Sequence, residues 1–346
     1  MKSKFNFTIV LLLFSTLLVN AAGAEFSKQY RKGWLKSGIT GLQITNKFGE
    51  VKINDMGGDS VTIKVLITID NASESKARDL MSKIHINLQK NGNQVTGETQ
   101  IEEGFRNNNS FSIDYMVNIP KDRDLTITNK YGNVNVNELD AKGNFDVSYG
   151  SLTAGKMKSP AGNPIKFLIS YGKATLETVN DANMEIKYSK LYADEISQMA
   201  LNSKYSTANL GKISSMTLDS KYDGINIDEI GKLKSISKYT NYKIGTLTGS
   251  LDLDTGYGSV KIDKVGSKFD KIQITNSYGG IKIGLNDLSY KLKAECSYCD
   301  VNYPTDRYKG NKIRENTKFS LDGNVGNGGG TVLIESRYGE IKLIEE

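Results

Sequence analysis

Four lysines, Lys187, Lys204, Lys221 and Lys238, each stand one residue before a tyrosine in successive copies of a repeat. A row of ammonium groups spaced at strand distance would repel by somewhat under 1 kcal/mol per neighbouring pair in water. Such a row could seat an acidic glycan or a lipopolysaccharide phosphate, or simply be a solvated, edge-protecting face. Glu185 and Asp219, two residues earlier on the same face, would partly neutralise it. Cys296-Ser297-Tyr298-Cys299 is the second chemical signal. A redox-active CxxC places its first thiol at a helix N-terminus, where the thiolate is stabilised. This one falls in a strand and turn, so a local disulfide stapling one coil is expected instead.

Other candidates carry less. Asp194, Asp228 and Asp263 each follow a tyrosine by six residues, but only in alternate coils, with Gly211 and Gly245 between. That places neighbouring aspartates about 9.6 Å apart along a stack, too sparse for carboxylates that must share one calcium at about 2.3–2.6 Å. His85 is the single histidine, between Ile84 and Ile86, and reads as an ordinary strand residue. The glycine-rich run 323–330 has no following Lys-Ser or Lys-Thr, so it is a flexible loop and not a phosphate cradle. No catalytic residue, cofactor site or metal site is expected. One histidine and two cysteines cannot furnish a structural zinc site.

These residues sit in a repeat. An aromatic recurs at Phe48, Tyr131, Tyr149, Tyr171, Tyr188, Tyr205, Tyr222, Tyr239, Tyr257, Tyr278, Tyr298 and Tyr338. It is framed as apolar-x-apolar-x-polar-x-Tyr-Gly-x-apolar-x-apolar, as in Leu125, Ile127, Asn129, Tyr131, Gly132, Val134 and Val136. Alternation with period two on both sides marks strands with one buried face. The phase slips at Tyr-Gly, so the chain turns there, and glycine suits a corner that needs positive φ. Steps of 17–22 residues are too short for an α/β unit of roughly 30. Stacked strands about 4.8 Å apart remain, which is a parallel β-solenoid of about a dozen coils. Coils filled by Tyr, Ile, Leu and Val would leave no interior cavity.

Two residues before the aromatics run Asn46, Asn129, Ser203, Ser220, Ser237, Thr255, Asn276, Cys296 and Ser336. This buried polar column is expected to hydrogen-bond up and down the stack. Between about residues 57 and 118 the period breaks. Ser73 is a candidate cap for a helix over 72–83, and strands are expected around 61–69, 84–88, 95–101 and 111–119. This mixed segment would cap the solenoid, and at the other end the last coil, Val332–Leu343, would leave a charged edge at Glu345 and Glu346. The irregular stretch 305–330 precedes that coil.

Residues 1–24 have the form of a secretory signal: Lys2 and Lys4, an apolar run over 8–19, and the small residues Ala22-Gly23-Ala24. Export to the periplasm or cell surface is expected, with no transmembrane segment in the mature chain. The organisation is then a signal peptide at 1–24, a first coil and cap at 25–118, and the repeat solenoid at 119–346, packed as one domain. A formal charge of +6 over 346 residues is no nucleic-acid footprint.

With its repeat laid out, the chain resembles the exported bacterial β-strand-repeat proteins known as candidate adhesins, a family of unknown function. The carriers are Asn46-Lys47-Phe48-Gly49, the helix-containing interruption, the Val117-Asn118-Ile119-Pro120 lead-in, the serial Tyr-Gly coils, and Gly328-Gly329-Gly330 before Tyr338-Gly339. The resemblance implies a β-helix-like fold at the cell envelope and supplies no catalytic residues. Ser189, Ser206, Asp223 and Thr240 depart from the glycine pattern, so those coils are expected to turn differently. The functional expectation is a non-enzymatic binding or structural protein contacting an acidic glycan or an envelope protein. A lyase-type polysaccharide enzyme and a self-associating scaffold are the alternatives.

Overall fold

The computed structural model describes residues 19–20, 23–55, 58–106 and 110–345. The expected export signal over 1–24 lies outside these, apart from residues 19, 20, 23 and 24. The chain divides into two compact units, Met1–Thr175 and Leu176–Glu346. Each is a parallel β-solenoid by its own pairing, and the first also carries the helix of the chain's N-terminal part.

In the first unit, Gly41–Lys47, Asp124–Lys130, Gly143–Ser148 and Ile165–Ser170 pair in parallel in that order. Val51–Asn54, Val134–Leu139 and Ser151–Met157 form the adjoining face. Leu42, Ile44, Ile127, Phe145, Val147 and Ile169 supply the buried side chains. The first coil in sequence is not the outermost. Gln94–Ile101 and Phe111–Asn118 continue its two faces in parallel. Antiparallel strands then close the stack: Ile84–Asn91 on one face, and Ser60–Asn71 followed by Gly23–Leu35 on the other. Helix Glu74–Ser82 buries Ala77, Leu80 and Met81. Ser73 occupies the N-cap position, but its hydroxyl meets Ser75 and caps no backbone N–H.

In the second unit, Lys190–Lys204, Thr207–Lys221, Gly224–Lys238 and Asn241–Gly256 run in parallel, one residue opposite its equivalent, with a register shift between Ile230 and Lys232 in the last pair. Two adjacent exposed residues interrupt the alternation twice in Lys190–Lys204, at 194–195 and 197–198, so the coil bends there. The chain order then departs from the stacking order. Gly330–Arg337, from the last coil, pairs in parallel with both Lys271–Ser277 and Tyr290–Ser297. The last coil is therefore inserted between two earlier ones and forms no terminal edge, contrary to the sequence expectation. Nor is 305–330 an irregular loop. Tyr308–Glu315 and Lys318–Val325 form a β-hairpin that covers Tyr290–Ser297 antiparallel. Gly310 faces Gly323 across it, where a Cβ at Gly310 would lie 2.5 Å from the Gly323 Cα. The glycines are there for close strand approach and for the turn at Gly326 and Gly328, both at positive φ. Charged side chains at Lys309, Lys312, Arg314 and Glu315 blunt the outer strand.

The corners overturn a second expectation. Positive φ belongs to the aromatic itself: all twelve, from Phe48 to Tyr338, lie between 50° and 61°. The following glycine serves close packing instead. A Cβ on Gly132 would sit 1.9 Å from the carbonyl oxygen of Gly49, and one on Gly279 would sit 1.9 Å from that of Gly258. Most of the aromatic N–H groups donate to a carbonyl of a neighbouring coil, as Tyr205 does to Lys221 at 3.0 Å, whereas Tyr298 donates to Thr317 in the turn between strands 308–315 and 318–325.

Candidate binding surface

The corner aromatics face outward and do not fill the coils. Those of the second unit are about half exposed, whereas only Tyr115, Tyr242 and Tyr290 stand among the largest fully buried side chains as tyrosines. In the second unit the rings stack in the order Tyr188, Tyr205, Tyr222, Tyr239, Tyr257, Tyr278, Tyr338, Tyr298, with centroids 4.8–5.0 Å apart and planes within 18°. The first unit stacks Phe48, Tyr131, Tyr149 and Tyr171 in the same way. The 4.8 Å strand spacing sets this ladder, because one ring per coil at one φ must repeat at the coil distance. Stacking covers both faces of an internal ring, so the surface it presents is ring edges and phenol hydroxyls.

Lys204, Lys221 and Lys238 lie directly opposite one another on adjacent strands beside this ladder. Lys187 is paired with Glu185. Among the described residues the other three carry no ion pair, and Asp219 sits in register with Asn202 and Ile236. A second row was not read from the sequence. Lys243, Lys261, Lys282 and Lys342 each follow their tyrosine by four residues and are opposite one another in turn. Two are neutralised, Lys261 by Asp263 at 2.6 Å and Lys342 by Glu340 at 2.9 Å. The constant offset was visible in the sequence. The adjacency of Lys282 and Lys342 was not, because it depends on the inserted last coil.

The inward polar column is buried throughout, but it bonds mostly to corner groups. Asn129 Nδ2 donates to the carbonyls of Gly49 and Asn133, and Ser336 Oγ donates to that of Gly339. Ser237 to Thr255, at 2.8 Å, is a direct bond between successive column members. Where glycine is replaced, side chains fill the corner. Ser189 N–H donates to Ser206 Oγ, Ser206 N–H donates to Asp223 at 2.7 Å, and Asp223 also accepts from the Ser220 hydroxyl and the Lys221 N–H. Burial pushes the Asp223 carboxyl above its usual range, against the lowering effect of those donors. The tyrosine φ is unchanged in these coils, so the turn is the same and only its filling differs.

Cys296 and Cys299 are bridged, with Cα atoms 5.4 Å apart, at the polar-column and corner positions of the Tyr298 coil. His85 Nε2 lies 2.7 Å from a Glu102 carboxylate oxygen, with both exposed. Asp194 and Gly211 stack in one column, where a Cβ on the glycine would lie 2.4 Å from the Asp194 carbonyl oxygen. Among the described residues, no group of three or more His, Cys, Asp or Glu side chains is placed to hold a metal ion. No described helix is long and apolar enough to cross a membrane.

A repeat solenoid with outward aromatic corners and lysine rows defines the class of protein. This chain belongs to the Toastrack DUF4097 family, whose profile matches residues 39–344. No curated protein matches it. It is similar to the crystal structure of a candidate cell adhesion protein from Clostridium sporogenes ATCC 15579, at 11% identity and TM-score 0.20, over 92% of this chain and 100% of that one. It is also similar to candidate adhesins from Parabacteroides merdae ATCC 43184 (12% identity, TM-score 0.35, 75% of this chain and 97% of that one) and Parabacteroides distasonis ATCC 8503 (13%, 0.31, 76% and 95%). These are likenesses only.

Proposed function

We propose that the protein is a non-enzymatic, exported envelope protein that binds an acidic polysaccharide along its lysine rows. The observation that carries this reading is the register of Lys204, Lys221 and Lys238. Three ammonium groups without ion pairs among the described residues repeat at strand spacing, a placement that costs energy until an anion offsets it. The tyrosine hydroxyls beside them add hydrogen-bonding groups at the same period. A polymer with regularly spaced carboxylates or phosphates matches such a one-dimensional array, and repeat solenoids use extended faces in this way. The lyase-type alternative would use acids clustered with a basic residue in one cleft, and the recurring aspartates Asp194 and Asp228, two coils apart, are not so clustered.

The test is affinity electrophoresis through gels containing polygalacturonate. Lys204→Glu with Lys221→Glu should weaken retention at least ten-fold, and wild-type retention should fall as salt rises from about 0.05 to 0.5 M. Unchanged retention in the double variant would sink the reading.

A further inference from the structure

The aromatic ladder of the first unit ends at Phe48, and there the stacking stops. Tyr131 covers one side of Phe48 at 5.0 Å and 11°. Its other neighbour, Phe111, is tilted by 45° at 5.0 Å, and Phe105 meets Phe111 at 56°. Rings that meet at such angles do not cover one another as fully as the stacked tyrosines do. Beside them lies an open cavity of about 530 Å³ lined by Phe48, Phe105, Phe111 and Ile101 together with Lys47, Arg106 and Glu102. Its size falls within the range of small-ligand sites, about 300–1,000 Å³.

The sequence marks the same place. Phe48 is the one corner aromatic without a hydroxyl, so no polar group from the ladder intrudes on the apolar wall. Phe105 is delivered by a turn in which Gly104 holds φ +82° and the Phe105 N–H donates to the Glu102 carbonyl at 3.3 Å. Among the described residues, Lys47 and Arg106 have no ion pair, while the Glu102 carboxylate is held by His85. The cavity thus joins three phenylalanine rings to two cations without ion pairs among the described residues and one anchored acceptor.

We infer that this cavity is a binding site for a carboxylated sugar ring. The apolar C–H face of a pyranose packs on a phenylalanine face. Arg106 and Lys47 pair with the ring carboxylate, the guanidinium in a bidentate manner. Glu102, fixed by His85, accepts from a sugar hydroxyl. The site lies in the first unit and does not rest on the lysine-row reading.

Titration calorimetry and saturation-transfer NMR with D-glucuronic acid, and with D-glucose as the neutral control, test it. Glucuronate should bind, glucose at least ten-fold more weakly. Phe105→Ala and Arg106→Glu should each cost at least ten-fold in glucuronate affinity, with circular dichroism and melting temperature unchanged. Lys204→Glu with Lys221→Glu should leave glucuronate binding intact, which separates failure here from failure of the lysine rows. The inference is overturned if glucuronate up to about 10 mM gives no signal, if glucose binds equally, or if Phe105→Ala binds like wild type. Should Phe105→Ala lower the melting temperature, Arg106→Glu alone decides, with loss of glucuronate binding supporting the site and retention overturning it.

Discussion

Two kinds of corner, besides the disulfide-bonded one at Tyr298-Cys299, share one backbone conformation in the second unit. At Tyr257, Tyr278 and Tyr338 the next residue is glycine, and a Cβ on each would lie 1.8–1.9 Å from the carbonyl oxygen of its counterpart in the neighbouring coil. At Tyr188, Tyr205, Tyr222 and Tyr239 the next residue is Ser189, Ser206, Asp223 or Thr240, turned inward into a hydrogen-bonded chain. The tyrosine φ is 50–61° in both groups. The turn is therefore a property of the tyrosine position, and the following residue decides only whether backbone or side chain fills the space beneath it.

The largest expected effect breaks the glycine kind. Gly279→Ala should destabilise by about 3 kcal/mol in urea unfolding, because its Cβ meets fixed backbone and not a movable side chain. Ser206→Ala keeps its Cβ and loses only the bonds to Ser189 N–H and the Lys204 carbonyl, about 1–2 kcal/mol. Equal costs would show that the two corners are not packed differently.

A smaller effect probes what they share. Tyr222→Ala should cost about 1–2 kcal/mol through its two ring contacts, at 4.9 and 4.8 Å. Tyr222→Gly should be the more stable of the two variants, since glycine carries no penalty at positive φ. Finding alanine more stable would refute the placing of strain at the aromatic.

The smallest effect sharpens the polar kind. Asp223 has its folded-state pKa raised by burial, so the folded protein holds that proton more tightly than the unfolded chain. Its contribution is fully present below the unfolded value of about 3.9 and declines as pH rises through the higher folded one. The stability of Asp223→Asn relative to wild type should therefore improve as pH rises across that window. Urea unfolding at a series of pH values measures it, and a flat difference would mean that the donors around the carboxylate cancel its burial.

Much of this was legible. The aromatic spacing and period-two alternation marked the strands and the corner positions, the apolar residues 77, 80, 81 and 84 marked a helix over 72–83 that is observed at Glu74–Ser82, and the unbroken 17-residue step put Lys204, Lys221 and Lys238 in one column. The second lysine row, the inserted last coil and the hairpin over 308–325 were hidden. Stacking order is set by which strands can satisfy exposed edges, and an edge can be covered by a strand from anywhere later in the chain. The hairpin was further masked by glycines, which read as loop in sequence but permit close strands in space.

What the sequence determined alone is the repeat: which residues alternate, where each coil turns, and which positions recur. Which side of the corner the rings occupy was left to the tertiary structure, because parity alternation fails at the residue that leaves the strand conformation. So was the meeting of Phe105 with Phe48. Those two lie 57 positions apart, and only the turn at Gly104 and the pairing of Gln94–Ile101 with Gly41–Lys47 bring them around one cavity.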